Sequence, residues 1–295
     1  MTDNIDLKDL LKQEYCRIDD SDYNYLAIGD IQTQVIVSRR SSERLKGLIT
    51  AAIKTESLGL SSVDYVYKKF SKSWDMDIPI SEKEIVVSKI LNLVKNTVNE
   101  YIELIQNELN SINTIGLIVA KSAMLRLINT FKSIIILISK DLFIESMALS
   151  RIILEQCAWC YCICSKNEYT DILKINPLDC LKSFKNFYCN AGKVNGFLSK
   201  RVHLDVGLVG NYLSINQNEH IITFNPTKDK LDSLYSILQQ TDMYCCTIEY
   251  TFSQFIDNFK FIDCETTDYR IKDNREFILI ANELLDKIYE LYDRK

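Results

Sequence analysis

Glycine and proline are scarce in this chain, with 8 Gly and 3 Pro in 295 residues. So few turn-forming residues cannot punctuate the many short strands of a sandwich or barrel, and long helices are the expected framework. Histidine is scarcer still: there are 2, His203 and His220. The chain has no Gly-rich phosphate loop, no H-E-x-x-H, no G-x-S-x-G and no paired-cysteine finger, which excludes most familiar enzyme motifs. A basic excess is also missing. With a net charge of -5, any contact with nucleic acid needs a local basic patch, because Lys and Arg neutralising phosphates dominate such affinity.

An apolar run at the N-terminus is absent too. The first residues, M-T-D-N-I-D-L-K-D-L, do not form a secretory signal. The most apolar segment, Ile134 to Ile138, is too short to span a bilayer and is flanked by Lys132 and Lys140. A soluble, cytoplasmic protein without a membrane partner is expected, and its 10 Cys read as reduced thiols. The composition, 47% hydrophobic and 25% charged, is that of an ordinary globular protein, and the length suits one large domain or two modest ones.

Residues 1 to about 38 carry weak signals: a turn at Asp19-Asp20-Ser21-Asp22 and a short strand within Ile31 to Val37. Ser42 then caps a helix with Leu45, Leu48, Ile49 and Ile53 on its apolar stripe, and a short helix covers Ser62 to Phe70. Trp74 to Pro79 breaks the pattern. The spacing of Ser81 and Glu84 is that of a capping box, and the helix behind it places Ile85, Ile90, Leu93, Val94, Val98, Tyr101, Ile102, Ile105 and Leu109 on one stripe. Ser111 to Gly116 suggests a turn or kink before a long apolar helix to Ser139, and Asp141 is placed to cap a helix from Leu142 to Cys164. Short helices are expected after Tyr169 and from Pro177 to Tyr188. Gly192 and Gly196 bracket an expected loop leading to His203 at a helix start. Glu219 to Asn225 reads as extended, Pro226 to about Phe261 as a long helix, Cys264 to Asp268 as a loop, and the last helix ends near Tyr292. The fold expected is all-α: a bundle of long antiparallel helices over residues 79–295, with a smaller N-terminal helical segment over 1–78.

Three constellations carry chemistry. Cys157, Cys160 and Cys164 share a helical face and read as small packing residues, with a thiol metal or redox site as the sharper alternative. Arg151 and Glu155 stand four apart on an otherwise apolar helix, so their side chains can meet. They form either a buried, register-fixing salt bridge or an anion site in which the guanidinium fork holds a phosphate and Glu155 orients it. His203 lies in L-S-K-R-V-H-L-D, where Ser199 offers a hydroxyl and Lys200 and Arg201 offer positive charge; imidazole is the natural general acid or base near neutral pH.

Ser150, Arg151, Leu154 and Glu155 in one helix, followed by Leu198, Ser199, Val202 and His203, resemble the HEPN-like helical-bundle proteins of bacteria. The resemblance spans roughly Thr114 to Asp263. More narrowly it points to a subgroup with this Arg…Glu…His arrangement associated with defence and toxin systems. It implies an all-α bundle that dimerises across its active face, and a metal-independent endoribonuclease of a toxin–antitoxin or antiphage system. The usual catalytic motif of that family is an Arg followed four to six residues later by a His. Here positions 197 to 199 are Phe197, Leu198 and Ser199, so Arg151 from the neighbouring helix has to supply the phosphate-binding charge.

The resulting expectation is a site in which His203, Arg151 and Glu155 are catalytic and Lys200, Arg201 and Ser199 bind RNA, with no metal or cofactor. The other reading is a non-catalytic interaction or sensor module that forms a homodimer or binds a separate effector protein of a defence system.

Overall fold

The computed structural model describes residues 25–29, 34–38, 41–70, 81–107, 112, 114–203, 213–216, 219–222, 226–265 and 268–293. The expected turn at Asp19 to Asp22 and the break at Trp74 to Pro79 lie outside these residues. The chain divides into two compact units, Asp19–Glu84 and Ile85–Lys295 together with Met1–Ile18.

The first unit is not helical throughout. Strands β1 (Tyr25–Gly29) and β2 (Gln34–Ser38) pair antiparallel, Tyr25 opposite Ser38. Helix α1 (Glu43–Ser57) starts where Ser42 Oγ accepts a hydrogen bond from the Leu45 N–H at 3.2 Å, the expected cap. The buried face is rotated from the expected stripe: Ala51, Ile53 and Thr55 are buried, whereas Leu45 is exposed. Lys46 buries its stem and sends its ammonium to Glu43 at 2.8 Å. Helix α2 (Val63–Phe70) packs against α1.

The second unit is an all-α bundle. Helix α3 (Glu82–Asn107) opens on the capping box: the Ser81 N–H donates to Glu84 Oε2 at 2.9 Å, and the Glu84 N–H donates back to Ser81 Oγ at 3.2 Å. Its buried side carries Ile90, Val94, Val98, Tyr101, Ile102 and Ile105, while Ile85 is exposed. Helix α4 (Ile115–Ser139) includes Gly116 within its first turn rather than before a kink. A Cβ there would stand 2.1 Å from the Ile163 carbonyl oxygen, and the Gly116 N–H donates to the Lys166 carbonyl at 2.9 Å. Glycine is required because two backbones touch.

Helix α4 is long and apolar enough to cross a membrane by length and composition, but Leu117, Ala120, Met124, Leu125, Phe131, Ile134 and Ile138 are buried within the bundle.

Helix α5 (Phe143–Ile163) packs against more α-helices than any other described element of the bundle. The turn before it is tight: Asp141 takes a positive φ of 59°, which a short polar side chain tolerates. The residue at the N-cap is therefore Leu142, with no side-chain cap, so Asp141 is not the expected cap. Helices α6 (Tyr169–Leu173), α7 (Pro177–Phe184) and α8 (Ala191–Val202) follow. Gly192 and Gly196 lie inside α8 and bracket no loop; packing of Ala191, Val194 and Leu198 into the core outweighs the roughly 1 kcal/mol helix penalty of each glycine.

Strands β3 (Leu213–Asn216) and β4 (Glu219–Ile222) form a hairpin, and α9 (Pro226–Thr251) runs beside α5. Ser146 meets Ser233 at 2.5 Å between hydroxyls and Cys157 meets Thr247, so α5 and α9 point the same way. Helix α9 ends at Thr251, short of the expected Phe261. The chain then forms a short 3-10 turn (Ser253–Phe255) and a hairpin, β5 (Ile262–Glu265) with β6 (Asp268–Ile271), where a loop was expected. Buried Glu249 holds this exit, accepting from the N–H groups of Lys260, Phe261 and Ile262 at 2.8, 2.8 and 2.9 Å and from the Tyr101 hydroxyl. Helix α10 (Glu276–Asp293) closes the unit. Arg275, just before it, grips buried Asp242 at 2.6 and 3.1 Å, and the Tyr188 hydroxyl donates to the same carboxylate at 2.7 Å.

Candidate active site

Two elements build the site. Helix α5 packs on α4, α7, α8 and α9, so nearly every turn of it has a buried side: Met147, Ser150, Leu154, Cys157 and Ala158 all face the core. Arg151, Ile152 and Glu155 lie on the remaining outer strip. Arg151 keeps 25% of its side chain exposed and Glu155 keeps 51%, so the pair stands at the surface rather than buried as one reading held.

Arg151 Nε donates to Glu155 Oε1 at 2.8 Å, the expected one-turn pairing. The second contact joins different helices: Arg151 Nη1 lies 2.8 Å from His203 Nε2. A guanidinium only donates, so in this arrangement Nε2 is the acceptor and the imidazole is the neutral tautomer with its proton on Nδ1. His203 sits at the C-terminal cap of α8, not at a helix start, and its N–H donates to the Ser199 carbonyl at 3.0 Å. The three residues expected to be catalytic thus meet in one exposed row, with Arg151 in the middle.

The residues expected to bind RNA separate. Lys200 is exposed and Ser199 half-buried. Arg201 is buried, at 6% exposure, with its guanidinium 3.2 Å from Asp229 and paired also with Asp232. It stands over the Phe197 ring at 5.8 Å. Burial raises both aspartate carboxyls above their ordinary range, and Arg201 opposes that rise. Arg201 is therefore not available to an RNA backbone: its charge is spent inside the fold, where it ties the end of α8 to the first turns of α9. Sequence reading missed Asp229 and Asp232. Their one-turn spacing at the start of a helix was a visible signal, but acidic residues there are ordinary dipole partners, and nothing local links them to Arg201.

The cysteine row has no metal-binding geometry; among the described residues no group of three or more His, Cys, Asp or Glu could hold a metal ion. Cys157 and Cys160 are fully buried. Burial pushes the Cys157 thiol up to about 12 and raises Cys160 as well, so both are protonated packing groups at neutral pH. His220 pairs across from Ile215 in the β3–β4 hairpin.

Comparison with protein-family models, curated proteins and solved structures gives no match.

Proposed function

We propose that this protein is a HEPN-like, metal-independent endoribonuclease acting within a bacterial antiphage defence or toxin system. The observation that carries the reading is the Arg151–His203 contact at 2.8 Å. It gives a solvent-facing imidazole, with a lone pair on Nε2, beside a permanently charged fork. A phosphodiester entering this row takes the guanidinium N–H that Nε2 now accepts, leaving that lone pair free for a proton. His203 then removes the proton of a ribose 2′-hydroxyl, whose oxygen attacks the adjacent phosphorus. The P–O5′ bond breaks and the departing 5′-oxygen takes a proton from water, giving a 2′,3′-cyclic phosphate and a free 5′-hydroxyl. Arg151 stabilises the charge that develops on the phosphoryl oxygens. Glu155 holds Nε and so the plane of the fork. Exposed Lys200, three residues before His203, adds backbone attraction.

The decisive assay incubates the purified protein with single-stranded and structured RNA and compares wild type with His203→Ala. A general base contributes about 10²–10⁴-fold, so the variant should lose activity by that factor while keeping its helical spectrum. Equal cleavage by both proteins rejects the mechanism.

The burial of Arg201 favours a second reading. With that charge withdrawn and a net charge of -5, the row offers little electrostatic attraction for RNA. Exposed Ile152, at 39%, lies between Arg151 and Glu155 in sequence. In this reading the surface is a non-catalytic interaction module for a second copy or an effector protein. Light scattering and RNA binding on the same sample separate the two.

A further inference from the structure

At the C-terminal end of α5 lies an open cleft of about 470 Å³ whose lining includes Tyr161, Cys162, Cys164, Asn176, Cys180 and Tyr250. It is separate from the Arg151 row: Cys162 follows Arg151 on the same helix by about 16 Å of axial rise. Two of its thiols come from different elements. Cys162, half-buried on α5, donates its S–H to the carbonyl oxygen of Cys180 on α7 at 3.9 Å. That places its sulfur beside the residue whose side chain would have to be bridged. Cys180 donates its own S–H to the Asn176 carbonyl at 3.4 Å. Among the other described cysteines, Cys164 is engaged with the Tyr161 carbonyl three residues earlier at the same helix end at 3.2 Å, Cys157, Cys160, Cys245 and Cys246 are buried, and Cys189 and Cys264 are exposed.

We infer that Cys162 and Cys180 are a modification site, oxidised by a hydroperoxide to an intramolecular disulfide that clamps α7 to the end of α5. The order of events follows from access. Cys162 meets solvent in the cleft, whereas Cys180 is 1% exposed, and burial pushes its thiol up to about 12. Cys162, as the thiolate, attacks a peroxide oxygen; an S–O bond forms, the O–O bond breaks, and the departing oxygen leaves protonated as water or an alcohol. The Cys180 sulfur then attacks the sulfenic sulfur. The S–S bond forms, the S–O bond breaks, and the expelled hydroxide takes the Cys180 proton as water. Two electrons pass from the two thiols to the peroxide. Proximity offsets the low thiolate fraction of Cys180, because the second step is intramolecular.

The test treats the full chain with hydrogen peroxide, alkylates remaining thiols, and maps disulfides by mass spectrometry without reduction. The expected product links the peptides holding Cys162 and Cys180, has lost two hydrogens, and reverts with dithiothreitol. Cys180→Ser should stop Cys162 at the sulfenic acid, trapped by dimedone. Cys162→Ser changes a half-exposed residue and keeps the test open should Cys180→Ser fail to fold; in it Cys180 should stay unoxidised. A Cys162 that remains a thiol, goes straight to sulfinic acid in the wild type, or pairs with another cysteine overturns the assignment.

Discussion

Arg151 Nη1 and His203 Nε2 stand 2.8 Å apart although their residues are 52 positions apart in the chain. The contact sets one helix against the end of another. Glu155 holds the opposite edge of the same guanidinium at 2.8 Å. A planar fork bonded on two edges has a fixed orientation, which a compact ammonium cannot reproduce.

Arg151→Lys should therefore act as a loss of geometry, not of charge. A lysine can reach His203 or Glu155 but not hold both in a plane. RNA cleavage should fall by about 10²–10³-fold, the cost of removing one stabilising donor group, with the melting temperature nearly unchanged because the site is exposed. Kinetics on a defined oligonucleotide check this; wild-type activity in the lysine variant removes the fork from the mechanism.

Arg201 and Lys200 should behave as opposites despite being neighbours. Arg201→Ala leaves Asp229 and Asp232 without their buried cation and should cost about 3–5 kcal/mol of stability. Lys200→Ala should leave the unfolding free energy within about 0.5 kcal/mol of wild type while reducing the salt dependence of RNA binding by about one ion. Denaturation curves and salt titrations of the two variants give the comparison.

Gly116→Ala should destabilise the bundle, because the new Cβ meets the Ile163 carbonyl at 2.1 Å and backbone cannot step aside as a flexible side chain can. A loss of about 1–3 kcal/mol or more is expected from such overpacking. An alanine variant with the wild-type melting temperature would show that α4 and the end of α5 can part without cost.

Alkaline pH should weaken the fold. Burial raises the thiols of Cys157 and Cys180 from 9.0 to about 12, and Cys164 to about 11. Buried Tyr188 and Tyr244 are raised in the same direction by the same cause. A group that holds its proton more tightly folded than unfolded contributes its full stability below the unfolded value. That contribution is lost as pH rises toward the folded one. Melting temperatures should thus fall steadily from about pH 9 to about pH 12, and a flat profile would mean the thiols are hydrated.

Much of the bundle was readable in advance. The Ser42 and Ser81–Glu84 caps, the apolar stripe of α3, and the Arg151–Glu155 pair all depend on residues within about a turn of one another, where helical spacing alone fixes who meets whom. Scarce glycine and proline excluded a strand-rich fold. Where local signals failed, a nonlocal energy had overruled them. Gly192 and Gly196 stay helical because their neighbours bury core residues, and Glu249 captures three backbone N–H groups to shape the β5–β6 hairpin.

What the sequence determined by itself is an all-α bundle whose central helix carries one charged pair. Tertiary structure alone decided that this pair faces solvent, that His203 completes it, and that Arg201 is consumed by Asp229 and Asp232. The reason is physical: adjacent residues on a helix point about 100° apart. Which of two neighbouring cations is buried therefore depends on how the whole helix is rotated against its partners.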